Sequence, residues 1–267
     1  VWAVTFADES QVVGGYSGED IRLWKIEDGQ QQGRTMKASG WVYSVVVSQD
    51  GRWIVTGDYG QKAIVWNAAT HEKVHEFTEH SNPVHGVDIS GDGTKLATAD
   101  LTNIEIFSIP SGDRLLPPLP HNYVSGVKFS RDGTRLATAS YTEGFRVYST
   151  NNGNILFNSE WSIHENQSQP SIASNGRFIA CAAGSSVSLW DCMSHKQIGG
   201  IISYTAEVGC VALSASGWHL ACGNGKNVTV HDLRDILSLE YFNHSVSVHP
   251  LMNLVSLTNI MLFLCPV

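Results

Sequence analysis

The chain has 267 residues and a formal net charge of −8, with 42% hydrophobic and 16% charged residues. That composition belongs to a globular chain and excludes a disordered one. The acidic balance, without any clustered Lys and Arg, argues against nucleic acid as the main partner, because phosphate binding needs a basic patch.

Five cysteines (Cys181, Cys192, Cys210, Cys222 and Cys265) show no C-x-x-C spacing, and three of them lie in apolar runs. They read as buried free thiols of a reducing compartment, so a cytoplasmic setting is expected, with the nucleus as the other option. The apolar tail 259–267 falls short of the roughly 20 residues a membrane helix needs, and no membrane contact is expected. No secretory signal stands at the start. The chain opens on Val in the middle of a β pattern, as expected for a domain of something longer.

In chain order the apolar runs repeat. The first unit has VWAVTF (1–6), QVVGGY (11–16) and DIRLWK (20–25). The second has WVYSVVVS, RWIVTGD and KAIVWN, and the third PVHGVDIS, KLATAD and NIEIFS. The fourth is the cleanest copy, VSGVKFSRDGTRLATASYTEGFRVYS (124–149). The fifth opens on the divergent SQPSIAS (168–174) and continues with RFIACAA and VSLWD. The sixth has VGCVALS, HLACGN and NVTVHD.

Two independent markers hold the period. The residue closing each third run is Trp24, Trp66, Phe107, Tyr148, Trp190 and His231, at steps of 42, 41, 41, 42 and 41. The turn between first and second runs is Asp50-Gly51, Asp92-Gly93, Asp132-Gly133, Asn175-Gly176 and Ser216-Gly217. A fourth run precedes each new unit, as in EKVHEFTEH (72–80) and DRLLPPLPH (113–121). Each unit is therefore four short antiparallel strands. Residues 244–264 read as a shortened seventh unit without a fourth strand; the alternative is six units and an apolar tail.

Trp190-Asp191, the turns SQDG, SGDG and SRDG, the run LATA at 96–99 and 136–139, and His80, His121 and His244 before successive units resemble the WD-repeat family. The resemblance covers nearly the whole chain. It implies an all-β fold, a β-propeller of four-stranded antiparallel blades spanning 1–267 as one domain. Seven blades are favoured, the last (about 244–267) incomplete. It also implies a His–Ser/Thr–Asp–Trp hydrogen-bond clasp in each blade. The Asp position aligns here with Gly18, Gly60, Thr102, Thr142, Ser185 and Gly225, so the clasp is expected to be incomplete in every blade and apolar packing to dominate.

The loops leading into the innermost strands, and the turns joining second to third strands, share one face of such a ring. Trp2, Trp41, Tyr43, His85 and Tyr123 fall in the first set, and Tyr59, Leu101 and Tyr141 in the second. Clustered aromatics there suit a protein-binding face, the alternative being inward packing between blades. His71, His75, His80 and His85 are spaced like metal ligands, but the repeat register separates them, and neither metal nor cofactor is expected. Asp88 and Lys128 share a register on adjacent units and read as a packed or solvated pair. His231-Asp232-Leu233-Arg234 resembles the W-D-x-R ending by which substrate receptors reach a cullin–RING ubiquitin-ligase adaptor, which would give Arg234 an adaptor contact. Asn166, Asn227 and Asn243 open glycosylation sequons that coincidence explains. The sequence thus points to a non-enzymatic protein-interaction scaffold. Alternatives are a ligand-sensing or regulatory propeller domain of a multidomain protein, and a propeller enzyme with a site at the channel mouth.

Overall fold

The recurring Ser-x-Asp-Gly turn sets the first hairpin of most blades. In a computed structural model of the chain, the Ser48, Ser90 and Ser130 hydroxyls each donate to the Asp two residues on, at 2.6 Å. Each then accepts the N–H of Trp53, Lys95 or Arg135 as the second strand begins. Gly51, Gly93 and Gly133 follow at φ of 65–71°, the left-handed conformation that an L side chain resists. The structure describes residues 1–159, 171–174, 178–191, 194, 196–214, 217–224, 227–238 and 241–242.

Six antiparallel sheets follow in sequence. The first holds β1 (Ala3–Phe6), β2 (Gln11–Gly15), β3 (Asp20–Lys25) and β4 (Gln31–Lys37). The second holds β5 (Val42–Val47), β6 (Trp53–Asp58), β7 (Ala63–Asn67) and β8 (Lys73–Phe77). The third holds β9 (Gly86–Ile89), β10 (Lys95–Ala99), β11 (Asn103–Ser108) and β12 (Leu119–Pro120). The fourth holds β13 (Val124–Phe129), β14 (Arg135–Ser140), β15 (Gly144–Ser149) and β16 (Ile155–Ser159). The fifth holds β17 (Ser171–Ser174), β18 (Phe178–Ala183), β19 (Ser186–Asp191) and β20 (Gln197–Ser203). The sixth has β21 (Val208–Leu213), β22 (His219–Asn224) and β23 (Asn227–Asp232), followed by a 3-10 turn, Leu233–Asp235. The fold is all-β, with sheets arranged as propeller blades. The expected seventh unit (244–264) lies outside the described residues, as do Cys192, Cys265, Asn166 and Asn243. The fourth strand of the third unit shrinks to two residues, because the consecutive prolines Pro117 and Pro118 offer no ladder N–H.

Burial concentrates between blades. Val13, Ile21, Leu23 and Met36 of the first blade pack with Val42, Ile54, Ile64 and Trp66 of the second. Equivalent clusters join second to third, third to fourth, fourth to fifth and fifth to sixth. The second to fifth blades are thus covered on both faces, which explains strands with near-continuous apolar burial such as β6 and β10. Backbone bonds add a repeating tie at one end of the ring. Val42 N donates to Tyr16 O, Val84 N to Asp58 O, and Val208 N to Gly184 O.

The place of the clasp Asp differs from the sequence expectation, although no described blade joins all four clasp residues. The Asp position is the last residue of the second strand or the one just after it, not the turn residue one or two places later. Tyr16, Asp58, Asp100, Ser140 and Asn224 occupy it, so two blades do carry Asp. In the third blade His80 Nε2 lies 2.8 Å from Thr98 Oγ1 and His80 Nδ1 lies 3.4 Å from Asp100 Oδ2. In the second blade Asp58 accepts the Ser39 N–H and hydroxyl, and the Trp66 indole donates to Thr56. In the fourth, His121 faces Thr138 at 2.8 Å while Ser140 accepts the Thr142 and Glu143 N–H groups. In the sixth, Tyr204 Oη and His231 Nε2 are 2.5 Å apart. In the first, the Trp24 indole donates to the Tyr16 hydroxyl. Polar closure is retained with different chemistry from blade to blade, so apolar packing is not the sole support.

Candidate functional site

The ties between blades deliver aromatic side chains to one face. Trp2 precedes β1, Trp41 precedes β5, and Tyr43 sits where the β5–β6 ladder shifts register between Val42 and Ser44. That bulge re-aims the Tyr43 side chain relative to a regular strand. Tyr59 occupies the β6–β7 turn, bonded through its N–H to Trp41 O at 2.8 Å. Gly40 and Gly60 permit this approach: a Cβ on Gly40 would stand 2.6 Å from Gly60 N. His85 precedes β9, tied by its N–H to Ala99 O.

Four of the rings form a closed circuit. Trp2 stacks on Trp41 at 6.0 Å, Trp41 meets Tyr59 at 5.9 Å, Tyr59 meets Tyr43 at 6.1 Å, and Tyr43 meets Trp2 at 5.8 Å. His85 stacks on Tyr43 at 4.8 Å and 7°. Trp2, Trp41 and Tyr59 are 46%, 48% and 58% exposed, while Tyr43 and His85 are half-buried. Burial pushes the His85 imidazole below its ordinary range and the Tyr43 phenol above its own. The five rings span three blades, an aromatic patch rather than scattered surface residues.

Leu101, Tyr123 and Tyr141 lie on the next blades of the same face. Tyr123 N donates to Leu101 O and Tyr141 N to Tyr123 O. Tyr123 is exposed, at φ 54°, and the other two are half-buried. The structure therefore brings five of the eight sequence-derived residues into ring contact and joins the other three to one another by backbone bonds.

Behind the patch stand two carboxylates. Asp58 accepts only from Ser39 and the Lys62 N–H. Asp100 accepts from His80 and from the Thr102 and Asn103 N–H groups. Burial works against the Asp100 charge, but those bonds outweigh it and hold the carboxyl far below the usual range. Neither carboxylate makes a direct ion pair with Lys or Arg among the described residues, although the Asp58 charge helps hold the Lys62 ammonium above its ordinary range.

Beside the patch, the channel mouth forms a cavity of ≈ 220 Å³ whose lining includes Ser44, His85, Ser125, Lys128, Ser171 and Gly209. Its one charged pair is Lys128 with Asp88, at 2.7 Å, where Asp88 also accepts the Phe129 N–H. The hydroxyls are engaged: Ser44 accepts from Val87 N, Ser171 accepts from Val211 N, and Ser125 donates to Ala139 O.

Three segments match the family model described as WD domain, G-beta repeat: residues 30–67, 71–106 and 115–149. Each begins near one blade's outermost strand and continues through the inner strands of the next, the register the sheets show. These three segments carry WD repeats. One relative is the nuclear distribution protein nudF of Aspergillus niger, 34% identical over 62 residues. That match covers 23% of this chain and 14% of the relative.

Other candidates from the sequence resolve within the WD-repeat frame. His71 is buried, with Nδ1 2.8 Å from Arg34 O, while His75 packs near Phe77 on β8 and His80 belongs to a clasp. Among the described residues no group of three or more His, Cys, Asp or Glu could hold a metal ion. Arg234 lies in the 3-10 turn, its guanidinium paired with Asp232 and 4.7 Å above the Trp218 ring. Asn227 starts β23. No helix among the described residues is long and apolar enough to cross a membrane. The Asp58–Ser39 bond was missed because Ser39 replaces the expected His. The sequence carries a signal for it: Ser39 and His121 precede a buried Val by three residues and His80 by four.

Proposed function

We propose that this chain is a non-enzymatic protein-interaction scaffold that holds partners on the face carrying Trp2, Trp41, Tyr43, Tyr59 and His85, with Leu101, Tyr123 and Tyr141 extending the contact. WD repeats suggest such a role, and the observation that carries the choice of face is the continuous five-ring patch with three rings half exposed. Aromatic side chains supply contact area at low cost in conformational entropy, and buried clusters of them anchor protein interfaces. Cys181, Cys210 and Cys222 are not in disulfides, which fits a reducing compartment such as the cytoplasm or nucleus. The acidic net charge fits protein rather than nucleic-acid partners.

The test is proximity labelling in cells with the wild-type chain and a Trp41→Ala, Tyr43→Ala double variant, with circular dichroism confirming that the variant folds. Loss of a reproducible set of partners supports the reading. An unchanged partner list from a folded variant overturns it. A contact through Arg234 is a separate proposal: Arg234→Ala would remove a ubiquitin-ligase adaptor from the labelled set while leaving partners of the aromatic face.

A further inference from the structure

Elsewhere the chain sets its own cations against several aromatic rings, buried and exposed. Arg22 lies over Tyr16, Arg52 over Trp53, Lys73 over Trp66, Arg114 over Phe107 and Arg234 over Trp218, at 4.7 to 5.9 Å. Among the described residues, none lies over the five rings of the patch. Those rings have the spacing for it. Neighbouring centroids are 5.8 to 6.1 Å apart around the circuit, so a cation seated between two neighbouring rings can lie within about 6 Å of both centroids.

Charge points the same way. Among the described residues Asp58 and Asp100 stand behind the patch with no Lys or Arg in ion-pair contact; the Lys62 charge acts on Asp58 from a distance while its ammonium is bonded to Glu76, and the whole chain carries −8. His85 is held neutral by burial, so it does not repel a cation at neutral pH. Lys62, in the turn that carries Tyr59, is bonded to Glu76, and Lys128 in the channel mouth is paired with Asp88.

We infer that the aromatic face takes a basic peptide of a partner protein, seating one ammonium or guanidinium side chain against Trp2, Trp41 and Tyr59. The inference rests on the interaction reading above and gives it a ligand chemistry. The attraction of a cation to a ring face is electrostatic, so it discriminates between a cation and a neutral group of the same shape.

The experiment uses two short Gly/Ser peptides that differ in one side chain. One carries trimethyllysine, the other its neutral carbon isostere, and both are titrated against the full chain by indole fluorescence. The cationic peptide is expected to bind about tenfold tighter. Trp41→Leu, which keeps apolar area and loses the ring face, is expected to erase that preference, and Trp41→Phe to retain most of it. Equal binding of the two peptides, no binding of either, or a preference that survives Trp41→Leu overturns the inference. If the Trp41→Ala, Tyr43→Ala variant loses partners while the two peptides bind equally, the interaction reading stands and the cation fails. If partners are unchanged in that variant, the interaction reading itself fails.

Discussion

His80 presents Nδ1 to Asp100 Oδ2 across 3.4 Å while both side chains are buried. A carboxylate only accepts, so the proton sits on Nδ1, and Nε2 is left to accept from the Thr98 hydroxyl at 2.8 Å. Asp100 also collects the Thr102 hydroxyl and the Thr102 and Asn103 N–H groups. Asp100→Ala therefore strands several buried donors at once. It is expected to cost about 3 kcal/mol in urea unfolding, against about 1 kcal/mol for Thr98→Val. A loss under about 0.5 kcal/mol for Asp100→Ala would show that the clasp contributes little.

His121 sets a pH dependence. It is fully buried beside Thr138 and the Tyr148 ring, and its pKa falls to about 4 from 6.5. Burial is the main cause, with Arg146 adding to it and Glu143 opposing. The unfolded chain takes up this proton near pH 6.5, and the folded chain only near pH 4. Stability from this group is therefore full above pH 6.5 and is lost as pH falls toward 4, by up to about 3 kcal/mol. Chemical unfolding at a series of pH values should show the loss, and His121→Gln should flatten that part of the curve. An unchanged slope in the variant would assign the loss to other groups.

Asp88 links two blades. It receives Lys128 Nζ and the Phe129 N–H from the neighbouring innermost strand. Lys128 is a third exposed, so its ionic share is small, and Lys128→Met should change stability by under about 1 kcal/mol. Asp88→Ala leaves the buried N–H without its acceptor and should cost about 2 kcal/mol. Equal effects of the two substitutions would place the contribution in the ion pair instead.

The Gly40–Gly60 approach positions the patch. A Cβ on Gly40 would stand 2.6 Å from Gly60 N, so the turn carrying Tyr59 must move away from Trp41. Gly40→Ala is expected to cost about 2 kcal/mol and to alter the near-ultraviolet circular dichroism of the coupled rings. An unchanged aromatic signal would mean that the turn absorbs the methyl group without moving Tyr59.

Protection from hydrogen exchange should vary around the ring. On β1, Val4 and Phe6 are 39% and 52% exposed, whereas β10 and β14 are buried along nearly their whole length. Amides of β1 are expected to exchange faster than those of β6, β10 and β14. Uniform protection across the blades would contradict this.

Much of this architecture is legible along the chain. The Asp-Gly turns and the closing aromatics mark the period, and the runs at 124–129, 135–140 and 144–149 become β13, β14 and β15 with little adjustment. The five rings of the patch are also legible, because the repeat register assigns each to a loop or turn on one face. What escaped is register finer than the repeat. The Asp of the clasp was placed two residues late, since nothing in a local pattern says which residue of a hairpin ends the ladder. The Tyr204–His231 contact carries no periodic signal at all, and the Tyr43 bulge, though it recurs at Ser125 and Gly209, has no mark in strand alternation.

The sequence by itself determined the repeating unit, its strands and the side of the ring on which the aromatics emerge, because strand alternation and turn chemistry act over a few neighbouring residues. Only the tertiary structure decided that Trp2, Trp41, Tyr43, Tyr59 and His85 touch, and that Asp58 and Asp100 stand behind them. Those relationships cross from blade to blade, where contacts are set by packing between sheets and by close backbone approaches such as Gly40 to Gly60 rather than by spacing along the chain.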